Sequence, residues 1–386
     1  MIILRRYLLL IITSGLLTAC NVNYEAMAEQ RVKYAQRNQG EIVIVAIQDS
    51  TKNQYIKGVI LAVEEINQQK GLLNRPLNLL IEQESPDFVT AKSTIRRIVS
   101  NPKVSAVMGH RSTAMAIPAS AIYEKTQILF FSPFVTEEEL TSHNFDYTFR
   151  MLSDNKYMAD QMYNLVTALG FKKIAILYDR TDKHRKVALL FKEKTQNNLN
   201  LLFDHTFLGE TADFRSVLSD LKQKNVDVFF LSSGAITASR LIKQAREMGI
   251  YTPIIGTSNL ASEIFKTAVG IAGNKTIVPT LYNVQAKNPI NQGFVTRYRV
   301  KYNQLPDADA AQGYDSVMLF ANKVNRARST QPALLASTVR FSPPWTGVSG
   351  VYRFNKQGNI QNKPYFFQVL NNENWQMLSA TNPKQH

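Results

Sequence analysis

The chain has 386 residues, 45 Lys and Arg against 30 Asp and Glu, a formal charge of +15 and a single cysteine. That length exceeds one ordinary domain and predicts two, while a lone cysteine excludes a disulfide framework and a cysteine-rich metal site. The basic residues are interleaved with acidic ones along the whole length rather than gathered with aromatics. This argues against a nucleic-acid groove and for a basic surface beside an anionic membrane, or a preference for anionic ligands.

In chain order, Arg5 and Arg6 precede an apolar stretch from Tyr7 to Leu17, with small residues next to Cys20, the layout of a secretory signal. The apolar stretch is shorter than the about 20 residues needed to span a bilayer. Leu17-Thr18-Ala19-Cys20 resembles the bacterial lipobox, which implies cleavage before Cys20 and diacylglyceryl and fatty-acyl (palmitate-type) modification there. Residues 1–19 are then a lipoprotein signal peptide, and residues 20–40, polar and ending at Gly40, a lipid-anchored tether: a spacer or a marginal surface helix. The expected location is the cell envelope, lipid-anchored and facing the periplasm or the outside of the cytoplasmic membrane.

From Glu41 a rhythm sets in. "EIVIVAI" (41–47) is a β-branched run suited to a strand buried on both faces, and "YIKGVILAVEEINQQKG" carries Ile56, Val59, Ile60, Val63 and Ile66 on one helical face before Gly71. Strand and helix signals alternate to "ILFFS", restart after "YTFRM" and continue to "PIIGTS" near residue 258. Two such sets predict an α/β protein of two doubly wound lobes with mainly parallel sheets. Long helices follow near 288–303 and 308–327. "VSGVYRF" and "YFFQVLNNENWQML" are expected to pair as strands around a turn at "NKQGN".

Ligands of open parallel sheets bind outside the carboxyl ends of the strands. The candidate loops are "QDST", "GHRSTA" (109–114), "SPFVTEEE", "DRTDKHR", "SSGAIT" and "TSNLA". Ser112 and Thr113 stand where a helix begins, so their hydroxyls and the unpaired backbone N–H groups can hold a carboxylate or merely cap the helix. Arg111, Arg180, Lys183 and His184 would make the cleft basic. No Gly-x-Ser-x-Gly elbow, His-Glu-x-x-His or cysteine nucleophile appears, and the five histidines lack ligand spacing. No catalytic, metal or cofactor site is expected.

"VMGHRSTAMAIPASAIYEKTQILFFSPFVTEEELT" (107–141) resembles the branched-chain amino-acid (Leu/Ile/Val) binding proteins, type I periplasmic solute receptors of ABC transporters. The likeness continues through "DFRSVLSDLKQKNVDVFF", "LIKQAREMG", "GYDSVMLFANKV" and "GVSGVYRFNKQGN". It implies two lobes joined by three crossing segments: 41–152 with 280–347, and 153–279 with a C-terminal return, 348–386. The resemblance puts the carboxylate-holding hydroxyls on Thr113 and Thr136 and the ammonium-accepting carbonyl on Phe134. The acid that neutralises the ammonium would fall near Ser258, which has no charge, so either Asp49 or Asp179 supplies it from a nearby loop or the ligand is not a simple α-amino acid. The implied function is that of a monomeric, lipid-anchored receptor that captures a small polar, amino-acid-like carboxylate for an ABC permease. The alternative is an envelope lipoprotein that uses the fold to bind a protein partner such as a regulator of cell-wall synthesis.

Overall fold

The computed structural model describes residues 22–49, 54–85, 87–196 and 198–378; the signal segment and Cys20 lie outside them. The first lobe opens with α1 (Tyr24–Gln36), β1 (Ile42–Gln48), α2 (Tyr55–Gln68), β2 (Leu77–Gln83), α3 (Phe88–Ser100) and β3 (Val104–Met108). It continues with α4 (Thr113–Lys125), β4 (Leu129–Ser132), the single turn α5 (Glu139–Ser142) and β5 (Thr148–Arg150). The second lobe holds α6 (Asn155–Ala168), β6 (Lys173–Asp179), α7 (Asp182–Thr195), β7 (Asn200–Phe207), α8 (Arg215–Lys222) and β8 (Val228–Ser232). Then come α9 (Ala235–Glu247), β9 (Ile254–Gly256), a 3₁₀ turn (Ser258–Ala261), α10 (Glu263–Val269) and β10 (Thr276–Thr280). The chain returns to the first lobe with α11 (Pro289–Tyr302), α12 (Ala308–Ala327), α13 (Pro332–Phe341), β11 (Trp345–Gly347) and β12 (Gly350–Tyr352), and ends with β13 (Phe366–Asn371) and β14 (Asn374–Met377).

The first sheet has the order β2-β1-β3-β4-β5 and is parallel throughout. The second, β14-β13-β10-β9-β8-β6-β7, is parallel except for the β10-β13-β14 edge. β1 is buried along nearly its whole length, as a continuous apolar run between two helical layers must be. α2 and α12 cover one face of the first sheet, α3 and α4 the other. A Cβ on Gly58 would lie 2.0 Å from the Ala310 carbonyl oxygen, and one on Gly313 would lie 2.2 Å from that of Tyr55. These two glycines therefore let α2 and α12 touch backbone to backbone, which brings Tyr55 and Asp309 to the mouth of the lobe.

Three crossings join the lobes: after Arg150, between Leu281 and Tyr282, and between Ile360 and Tyr365. The last falls later than residue 347. Tyr352, Phe354 and Ile360 belong to the first lobe's core, and β12 pairs with β11 rather than with the C-terminal strand. Around the expected "NKQGN" turn isolated bridges form, Phe354 to Ile360 and Arg150 to Asn359, and Phe366–Asn371 pairs instead with β10 and β14. Local alternation marks strands but not their partners.

At the third crossing the buried Lys363 ammonium reaches Ser349 Oγ (2.9 Å), Gln312 Oε1 (3.3 Å) and the Met151 carbonyl (3.4 Å). Asp315, beneath it, accepts from the Val348 and Ser349 N–H groups, the Ser349 hydroxyl and the Tyr352 hydroxyl.

Residues 24–36, expected to be spacer or marginal helix, form a helix docked on the first lobe. Its Arg31 is 2 % exposed and donates to the carbonyls of Val104 (2.8 Å), Val99 (2.8 Å), Asn101 (3.0 Å) and Thr126. Those carbonyls end α3 and α4 or open β3, so the guanidinium sits where helix dipoles favour a cation. A helix this short is marginal alone and is held by such tertiary contacts.

Candidate ligand-binding cleft

The carboxyl ends of β1, β3 and β4 face those of β6, β8 and β9 across the cleft. On the first lobe, His110 adopts φ +55° and is 3 % exposed. Its ring bridges Glu84 Oε1 (3.2 Å) and the Tyr123 hydroxyl (2.9 Å), while Glu84 Oε2 accepts the Arg111 N–H (3.1 Å). This clamp fixes the loop that delivers Ser112 and Thr113. Ser112 is the N-cap of α4, yet its side chain makes no capping bond. The Thr113 and Thr136 hydroxyls likewise engage no partner among the described residues. The first N–H groups of α4 have no intrahelical acceptor, as at any helix start.

Phe134 is half-buried, edge-on to Tyr55 with ring centroids 5.0 Å apart. Arg111 lies over the Phe134 ring, 3.8 Å from its centroid, and its guanidinium is ion-paired at 2.7 Å to both Asp49 and Asp309. Arg111 thus reaches the cleft, but two carboxylates already offset its charge.

Two residues that support this wall had no signal in the sequence. Arg150, 1 % exposed, donates to the carbonyls of Thr136 (3.0 Å) and Glu137 (2.6 Å), to Thr141 Oγ1 (3.2 Å) and to Asn359 Oδ1 (2.9 Å). Gln312 donates to the Pro133 carbonyl at 3.1 Å, and its Oε1 accepts from Lys363. The Phe134–Thr136 loop is therefore tied to two of the crossings. Arg150 reaches these groups from the next strand and from Asn359, and Gln312 from a helix far along the chain, so no residue periodicity encodes them.

The second wall is different. Asp179, 2 % exposed, accepts from the Thr181 hydroxyl (2.6 Å), the Thr181 N–H (3.1 Å), the Gly234 N–H (3.1 Å) and His184 Nδ1 (2.7 Å). Burial pushes its pKa up, but the hydrogen bonds from His184 and Thr181 and the His184 charge outweigh it and hold the carboxyl well below the ordinary range. His184 Nε2 meets the Asn259 amide. Asp179 is thus bound internally and is not presented to a ligand. Ser258 is exposed, at the start of the 3₁₀ turn. Arg180 places its Nε on Thr206 Oγ1 at 3.2 Å, at the carboxyl end of β7.

Lys183 retains an exposed surface, but protein crowds its ammonium. Loss of water lowers its pKa, Glu137 of the other lobe opposes the shift and Arg111 adds to it. One helical turn on, Lys186 forms an ion pair with Glu138 across the cleft. The lobes are in contact in this structure.

The sequence pattern that describes the periplasmic binding protein family matches residues 47–374. The chain belongs to that family. This periplasmic binding protein is 26 % identical over 323 residues to the Leu/Ile/Val-binding protein homolog 2 of Brucella abortus (strain 2308), covering 80 % of this chain and 83 % of that one. An ABC transporter substrate-binding protein from Desulfitobacterium hafniense, in complex with Leu, superposes with a TM-score of 0.80 at 24 % identity, over 88 % of this chain and 100 % of that one. The branched-chain amino acid transporter substrate-binding protein of Streptococcus pneumoniae, in complex with isoleucine, gives 0.77 at 25 % identity, over 87 % and 97 %. The resemblance to branched-chain amino-acid binding proteins and the two-lobed α/β fold both hold. The protein is a solute receptor akin to the binding components of transporters, which are not enzymes, and the family places it outside the cytoplasm. No helix among the described residues is long and apolar enough to cross a membrane.

Proposed function

We propose that this protein is a lipid-anchored receptor that captures a small polar carboxylate between its lobes and delivers it to an ABC permease. The observation that carries the reading is the first wall: the Ser112, Thr113 and Thr136 hydroxyls and the start of α4 are left open, while buried residues hold the loops that bear them. Hydroxyls and helix N–H groups together form a carboxylate seat. The relatives' complexes with leucine and isoleucine support a ligand of that kind. Cys20, in its lipobox-like context, supports the anchor.

The test is a thermal-shift screen of carboxylates with wild type and Thr113→Ala. A ligand at a hundred times its Kd adds about 2.7 kcal/mol of stability. Hits that weaken in the variant uphold the receptor, and hits indifferent to it displace the seat. In cells, fatty-acid labelling that persists in Cys20→Ser would remove the anchor.

A further inference from the structure

Gln312 of α12, 1 % exposed, joins the third crossing to the first wall of the cleft. Its Nε2 donates to the Pro133 carbonyl at 3.1 Å, in the loop that carries Phe134 and Thr136, and its Oε1 stands 3.3 Å from the Lys363 ammonium. A carbonyl only accepts and an ammonium only donates, so one orientation of the Gln312 amide satisfies both neighbours and the flipped one opposes like groups at both ends. Two hydroxyls also lie near that Oε1, Tyr352 at 3.2 Å and Ser349 at 3.4 Å, but each stands closer to Asp315 Oδ2, at 2.9 and 2.5 Å, where its single proton is better used. Lys363 is left as the donor that orients Gln312. It has no proton to spare, because Ser349 Oγ, Gln312 Oε1 and the Met151 carbonyl take all three.

We infer that Lys363 is a positioning residue for the ligand wall: protonated, it fixes the Gln312 amide and through it the Pro133–Thr136 loop, and loss of a proton frees that loop. This concerns the wall on which the receptor reading rests, but it holds whatever the ligand is. Around the ammonium stand Gln312 and Asp315 of α12, Ser349, the Tyr352 ring of β12 at 3.9 Å and the Met151 carbonyl of the first crossing. Asp315 and Tyr352 are the titratable groups among them, and burial raises both. Burial lowers Lys363 to about 7 against the Asp315 charge, so the loop is pinned on the acid side of that value and freer on the alkaline side.

The experiment is a pH titration of the isotope-labelled full chain in detergent, without ligand, across the Lys363 value. It is followed by NMR at the Gln312 side-chain amide and at the Val135 and Thr136 backbone amides. We expect these signals to shift together on one curve. Lys363→Met should abolish the curve, and Lys363→Arg, which keeps its charge throughout, should hold the signals at their acid positions. Gln312→Met keeps the ammonium but removes the relay, so the Val135 and Thr136 curve should vanish there too, whereas a direct effect of the Lys363 charge on the loop would leave it. Loop signals that do not titrate in the wild type, or that titrate unchanged in Lys363→Met or Gln312→Met, overturn the inference. Signals at their alkaline positions in a folded Lys363→Arg overturn it as well.

Discussion

The first wall of the cleft keeps its small hydroxyls open and spends its large buried side chains on holding them. On the second wall Asp179, Thr181, His184, Gly234 and Asn259 form one hydrogen-bonded knot, while the Ser233 and Thr257 hydroxyls beside it are buried without a partner. Both walls are made of the same kind of loop, at carboxyl ends of parallel strands. The difference lies in what the loop residues touch. It teaches that strand-end loops of one kind can hold a buried carboxylate in a closed knot on one lobe and leave hydroxyls at a helix start open on the other, with Lys186 of α7 reaching across to Glu138.

The comparison breaks most severely at Arg150. Arg150→Met removes the guanidinium's hydrogen bonds to the Thr136 and Glu137 carbonyls, which keep only the Asn155 and Leu140 N–H groups, at about 1.5–3 kcal/mol for a hydrogen bond to a charged group. A loss of roughly 3 kcal/mol in denaturant unfolding, with ligand affinity falling in parallel, is expected; a stable variant with full affinity would show that the first wall does not need its buried support.

Thr113→Ala and Thr136→Ala should next each weaken a carboxylate ligand by about 1.5–3 kcal/mol, the worth of a hydrogen bond to a charged group, with the fold intact. His184→Gln, on the knotted wall, should cost stability more than affinity. Calorimetry and melting curves of the three variants side by side test the division of labour, which fails if His184→Gln is the one that abolishes binding.

Between the lobes, burial lowers the Lys363 pKa to about 7, with Asp315 opposing. An unfolded lysine keeps its proton to about 10.4, so from about pH 7 to about 10 the unfolded chain binds more protons and stability rises with pH, by at most about 1.4 kcal/mol per unit. Lys363→Met should remove this rising component. An unaltered pH slope would mean that the crossing titrates elsewhere.

The smallest effect is expected at Glu138–Lys186, a half-exposed pair worth about 0.2–1 kcal/mol. Glu138→Gln should slightly open the lobes in small-angle scattering without ligand, more at low salt than at high; equal profiles at both would take that pair out of closure.

What was readable locally, the sequence carried. The β-branched run at 42–47, the amphipathic spacing from Ile56 to Ile66 and the alternation that followed specified two doubly wound lobes, because burial on one or two faces imposes a period on adjacent residues. The loops at 109–113 and 132–136 followed from the strand-end rule and the family resemblance. Strand pairing after residue 345, the docking of α1 through Arg31, and the supports Arg150 and Gln312 were decided by tertiary structure. So was the state of Asp179, an open carboxylate on paper and a saturated one in the fold. In each case the partners lie far apart in the chain or on another element, and only the folded geometry determines which hydrogen bonds a polar group can make.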